Sequence, residues 1–243
     1  MYFPYFDYTY VIYVLPFVLL SLWASAMVKT RFAHYNKVLS QRGLTGAQAA
    51  SLLLRANGIT DVRITHISGQ LTDNYNPSNK TLNLSNSTYS STSIAAIGVA
   101  AHETGHAIQH KVGYGPLKLR SVMVPAANLG SQAGPVLVVA GLILGGFAKT
   151  SDIFSICQII TDVGLILFAL AVLFYIVTLP VEFDASRRAL KILKNTGSLS
   201  AEELSGARKV LSAAAMTYVA SALVAIGQLL RLLVISGRRD DRR

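Results

Sequence analysis

His102, Glu103 and His106 stand in the arrangement His-Glu-x-x-His, and the spacing has a mechanical consequence. Residues four apart lie one turn above one another on a helix, so both imidazoles can reach a single tetrahedral metal ion. Glu103 projects beside them, where its carboxylate can take a proton from a zinc-activated water as that water attacks a carbonyl. The chemistry implied is metal-assisted hydrolysis of a peptide bond. The motif fixes only three positions, and a helix carrying two surface histidines meets it by chance. The run Ile94 to Ala101 weighs against that blander reading. It is the apolar body of a buried helix, and it delivers His and Glu side chains into an interior where polar groups need partners. Gly105 costs a helix about 1 kcal/mol relative to Ala, which implies close approach by another element or by substrate.

A catalytic zinc site takes three protein ligands and leaves a fourth position open. The chain has a single cysteine, Cys157, within an apolar stretch, so the ligands must be His and carboxylates. His110 follows His102 by eight residues, about 12 Å along a continuous helix, too far to share one ion. His34 and His66 are isolated and suit solvent-facing or packing roles. Glu182 is the better candidate, because it lies just past the end of an apolar span, on the side to which the His-Glu-x-x-His segment also returns. The alternative is an ordinary charge at a membrane exit.

The elements that must position these residues are mainly helical. With 52% hydrophobic and 14% charged residues, the chain falls well below the roughly 25% charge of a soluble domain, and several stretches approach the ~20 residues that cross a bilayer. Residues 1–28 read as a first transmembrane helix. The opening Met1-Tyr2-Phe3-Pro4 lacks the basic region and cleavage site of a secretory signal, so this segment is expected to stay as an anchor. Residues 29–120 form a small polar-side catalytic domain of α+β type. Within it a helix over 45–57, two short strands at 62–67 and 81–85, and a helix from Ser93 to His110 are expected. Residues 121–180 form a transmembrane helical hairpin ending near Pro180. Residues 181–210 carry Glu182 on a charged helix, with Ser200 and Glu203 as a capping box for the next. Residues 211–243 form an apolar helix, spanning or lying on the membrane, and a basic tail. The expected fold is thus an integral membrane helical protein of three or four spans with a small zincin-like domain.

The net charge of +10 does not point to nucleic acid, because no basic run is interleaved with aromatics. Lys and Arg sit between the apolar spans, with ten basic against three acidic residues between Lys29 and Arg120. By the positive-inside bias this places the catalytic segment on the cytoplasmic side of a bacterial plasma membrane. The partners expected are the bilayer and a protein or peptide substrate. Two other classes compete. A membrane scaffold or interaction protein would hold zinc structurally, normally with four protein ligands. A transporter would pair ionisable groups at mid-membrane, and only Asp162 approaches that description. The strand pair around 81–85 has two readings, a backbone edge for an extended substrate or a hairpin packed on the zinc helix. Arg187, Arg188 and Tyr218 are candidates for stabilising an oxyanion.

Several segments together resemble the YugP-like neutral zinc metallopeptidases of bacterial membranes, distant relatives of HtpX and the CAAX prenyl proteases. They are Gly69 to Asp73, Ser93 to Glu103, Gly105 to His110, Pro116-Leu117, Thr178 to Phe183, Ala185 to Ala189 and Ala213 to Ala220, covering nearly the whole chain. The resemblance implies one zinc per chain held by His102, His106 and Glu182, with Glu103 as general base of a metalloendopeptidase. The distant relatives place Asp after their Glu-x-x-Ala, where this chain has Ser186. It also departs from the family pattern at Asn74, Asn76 and Asp184, which bears on substrate contacts more than on the metal ligands.

Overall fold

The computed structural model describes residues 8–237, so the expectations for Met1 to Pro4 and for the basic tail from Arg238 lie outside the described residues. The apolar N-terminal stretch forms two helices, α1 (Tyr8–Tyr13) and α2 (Leu15–Tyr35). Pro16 has no N–H to give back to Ile12, and the helix is interrupted at Val14, one turn before it would otherwise run on. Then follow α3 (Gly46–Ala56), β1 (Arg63–Ile67), β2 (Asn74–Asn76), β3 (Thr81–Ser85) and α4 (Ile94–Lys111). Three long helices complete the chain, α5 (Gly115–Gly146), α6 (Ser151–Asn195) and α7 (Ala201–Gly237). These last three are long and apolar enough to cross a membrane.

The chain divides into two compact units. One contains residues 24–118 and 179–217, and with them every candidate metal ligand. Its centre is α4, which is covered all round, as its sequence of small and aliphatic residues requires. Ile94, Ile97 and Ala101 pack with Leu53, Leu193 and Leu211. Ala100, Ala107 and Ile108 pack with Leu54, Leu82 and Leu84. Ser93 caps α4 by accepting from Ala96 N at 3.1 Å, and Thr45 and Gln48 form a capping box on α3. The other unit comprises 8–23, 119–178 and 218–237 among the described residues. Its core is Val138, Phe168, Ala171, Val172, Ala225 and Leu232. Gly130 and Gly141 lie where a methyl group would meet the α6 backbone, 2.0 Å from Leu167 O and 2.6 Å from Cys157 O respectively. The small residues of α5 thus serve helix packing within the chain.

Two expectations are corrected here. The strands are not a simple hairpin. β1 runs parallel to β3, β2 runs antiparallel to it, and the order is β1-β3-β2. β3 is therefore central, paired on both sides over 81–83, and the outer strands of the sheet are β1 and β2. β2 is only three residues long and mostly polar, below what alternation can signal, and Asp73 pins its start by accepting from Ser85 N at 2.8 Å and Ser85 Oγ at 2.9 Å. The second correction concerns Pro180, which does not end its helix. α6 passes through it and carries the apolar span and Glu182 on one continuous rod, losing one hydrogen bond in the process.

The cap at the start of α7 is as expected and does more than cap. Ser200 N donates to Glu203 Oε2 at 2.7 Å, and Gln41 N, from the loop after α2, donates to Glu203 Oε1 at 2.7 Å. Glu203→Ala removes an acceptor from both amides and is expected to cost about 1–3 kcal/mol. Thermal unfolding in detergent should show a lower midpoint with metal content unchanged. An unaltered midpoint would mean that these two bonds hold nothing.

Candidate metal centre

His102 and His106 come from adjacent turns of α4, with ring centroids 4.8 Å apart and planes at 83°. Both present Nε2 to one carboxylate. His102 Nε2 lies 3.2 Å and His106 Nε2 3.6 Å from Glu182 Oε2. One ligand atom from each residue falls within 4.8 Å of the others, and this is a group of three that could hold a metal ion. Glu182, brought in by α6, is 2% exposed. An ionised carboxylate buried to that extent must be compensated by cation or hydrogen bond.

The opposite nitrogens are held by other side chains. Gln109 Nε2 donates to Val181 O at 2.8 Å and to Asp184 Oδ2 at 2.9 Å. Two acceptors fix which end of the amide is nitrogen, so Gln109 Oε1 must accept, and His106 Nδ1, 3.0 Å away, must carry the proton. In the neutral ring that leaves Nε2, on the Glu182 side, as the nitrogen able to ligate a metal. The network extends to Arg188, whose Nε donates to Asp184 Oδ2 at 2.5 Å and whose guanidinium lies over the Tyr114 ring. His102 Nδ1 is 3.0 Å from Ser186 Oγ. Ser186 therefore supports the ring from the position where the distant relatives have Asp, with a hydroxyl in place of a carboxylate.

Burial pushes the His106 pKa down, but the Glu182 hydrogen bond and the charges of Glu103 and Glu182 outweigh it and leave it raised. The protein without a metal thus draws a positive charge to the place where the three ligands converge. This donor set, two imidazole nitrogens and one carboxylate oxygen around a charge-deficient interior, fits zinc. Glu103, 8% exposed, makes no side-chain hydrogen bond among the described residues. Its carboxylate is not consumed by structure.

Gly105 has the close neighbour its cost implied. A Cβ there would lie 2.5 Å from Ala185 O, so α4 and α6 touch backbone to backbone between Glu182 and Ser186. His110 is engaged elsewhere, its Nδ1 2.8 Å from Tyr75 Oη. His66 pairs with Asn86 and His34 lies edge-on to Tyr35. Of the oxyanion candidates, Arg188 is committed to Asp184. Asn74 and Asn76 are occupied within and beside the sheet, Asn74 Oδ1 accepting from Asn83 and Asn76 Oδ1 from Ser78 N. Sequence reasoning missed Gln109 and the role of Asp184. The i,i+3 spacing of His106 and Gln109 was the available signal.

The family model described as "Putative neutral zinc metallopeptidase" matches residues 10–237. The chain belongs to this family of zinc metallopeptidases. It is 43% identical over 224 residues, 91% of this chain and 95% of the relative, to the Bacillus subtilis (strain 168) protein named "Putative membrane protease YugP". No solved structure matches. Membership of the zinc metallopeptidases agrees with the ligand group described above, and similarity to a membrane protease agrees with three helices apolar enough to span.

Two substitutions test the geometry. Gly105→Ala forces α4 and α6 apart at Ala185, and zinc affinity in a chelator competition is expected to fall at least tenfold, roughly the penalty for disturbing ligand support. Gly98→Ala, whose Cβ would sit 3.4 Å from Ala207 Cβ, should leave it unchanged. Gln109→Leu frees the His106 tautomer and should weaken zinc binding about 10- to 100-fold. Wild-type affinity in both Gly105→Ala and Gln109→Leu would contradict the arrangement.

Proposed function

We propose that this chain is a zinc-dependent metalloendopeptidase that cleaves proteins or peptides close to the cytoplasmic face of a bacterial plasma membrane. One zinc per chain would be held by His102, His106 and Glu182. The observation that carries the reading is the convergence of three ligands beside Glu103, a buried carboxylate with no side-chain hydrogen bond among the described residues. When bound there, zinc supplies Lewis acidity that polarises the scissile carbonyl and makes water a stronger acid.

The protein's own groups supply the rest. Glu103 takes a proton from the attacking water and returns it to the departing amine nitrogen. Gln109 and Ser186 hold the two rings by their Nδ1 atoms and so leave the Nε2 atoms on the Glu182 side, where they would serve a metal. The α4 and α6 backbones, in contact at Gly105 and Ala185, keep the carboxylate of Glu182 in register with the histidines. The first apolar segment, residues 10–28, crosses the membrane with α5, α6 and α7, and the basic residues between spans set the cytoplasmic orientation.

A scaffold with a structural zinc is the competing reading. The ligand group holds three residues among those described, and an open fourth position favours catalysis over a closed structural site. The discriminating variant is Glu103→Gln, assayed on a denatured protein substrate in detergent. Proteolysis should fall about 100- to 10,000-fold, the usual worth of a general base, while zinc content stays at the wild-type level. Equal proteolysis by the two proteins would remove Glu103 from the reaction, and absence of zinc from both would favour the scaffold.

A further inference from the structure

Beyond the apolar part of α6, which ends at Leu179, the helix turns basic along one face. Arg187, Lys191 and Lys194 are exposed there, spaced by four and three residues. Across from them α7 presents Arg208 and Ser212, and between the two helices lies a groove of about 580 Å³. Phe183, Leu190 and Leu204 give it an apolar floor and wall. None of the four cations has a hydrogen bond or ion pair among the described residues. Surface Lys and Arg usually find a carboxylate or face open water. Four converging on one concavity without an acidic residue in its lining make a receptor for a multiply oxygenated anion.

The position of the groove selects the anion. Arg187 follows Leu179 by eight residues, about 12 Å along the axis. Arg208 precedes by ten residues Tyr218, where α7 passes into the unit of apolar helices. Phe183 and Arg187 thus stand about 6 and 12 Å along α6 from its apolar part, so the near end of the groove is within a long side chain's reach of the level at which head groups lie. Phe183, 43% exposed at the groove's membrane end, is placed to lie against the glycerol and first acyl carbons. The groove is also on the wrong side of the metal for a substrate. Ser186 lines it and meets His102 at Nδ1, whereas Nε2 faces Glu182.

We infer that this groove binds the phosphate head group of an anionic phospholipid, with Arg187, Lys191, Lys194 and Arg208 on the phosphate oxygens and Phe183 against the chains. The inference rests on membrane residence and is independent of peptidase activity.

The test is binding of fluorescently labelled phosphatidylglycerol to the full-length protein in neutral detergent. The variant R187Q/K191Q/K194Q/R208Q is compared with K37Q/R55Q/R63Q/K209Q, which loses equal charge outside the groove. Each cation near an anionic lipid is worth about 1 kcal/mol, roughly fivefold in affinity. The groove variant should lose at least tenfold and the control variant less than threefold. The milder K191Q/K194Q should fall between wild type and the groove variant, which separates loss of the site from loss of the fold. Labelled phosphatidylcholine should not compete, and millimolar inorganic phosphate should displace the lipid only weakly. Equal losses in the two fourfold variants would reduce the effect to net charge and overturn the inference. So would full displacement by inorganic phosphate, which would identify a free-anion site, or displacement by an acidic peptide, which would identify a protein partner.

Discussion

A carboxylate at 2% exposure is expensive to keep. Removing the partner of a buried charge costs about 3–5 kcal/mol, and Glu182 meets this by facing the Nε2 atoms of both histidines at once. Two neutral imidazoles do not balance a carboxylate. The raised pKa of His106 has the same origin, since the Glu182 hydrogen bond and the charges of Glu103 and Glu182 outweigh the burial that would lower it. A divalent cation answers the same deficit with more charge and with ligand atoms already converging. Much of the surrounding structure follows from holding one carboxylate and two rings at that distance.

The consequences spread outward from the ligands. Gly105 allows α4 to approach Ala185 O closely enough that Glu182 and Ser186, on either side of that contact, both face the histidines. Gln109 turns the backbone carbonyl of Val181 and the carboxylate of Asp184 into constraints on the His106 tautomer. Arg188 then balances Asp184. The apolar packing of α4, with Leu53 and Leu193 in one cluster and Leu82 and Leu84 in another, gives this polar network a rigid floor. Dispersing the same polar groups over loops would leave each ligand free to rotate. On two helices in backbone contact they are fixed before any metal arrives.

Much of this was legible in the amino-acid sequence because its determinants are local. The His-Glu-x-x-His spacing, the Ser93 cap and the Ser200–Glu203 box all lie within one helical turn. Glu182 was reachable through topology, since a hairpin of spans returns it to the side of α4. Gly105 announced a close neighbour without saying which. What escaped was non-local or too short to carry a period. β2 is three residues with a polar majority, and parallel pairing of β1 with β3 depends on a connection whose path the sequence does not state. Pro180 reads as a stop signal, and only the packing of a continuous α6 overrides it. Gln109 is a common residue in a helix, and its importance arises from Val181 and Asp184, 72 and 75 residues away.

The claim on which the rest depends is that His102, His106 and Glu182 together form one zinc site. Elemental analysis of the detergent-purified protein, beside Glu182→Gln prepared identically, tests it most directly. Gln keeps the size of the side chain and removes the charge. The account predicts about one zinc per chain in the wild type and a sharp loss in the variant, as expected when one of three ligands is neutralised. Equal zinc in the two proteins, or none in a folded wild type supplied with zinc, would contradict it.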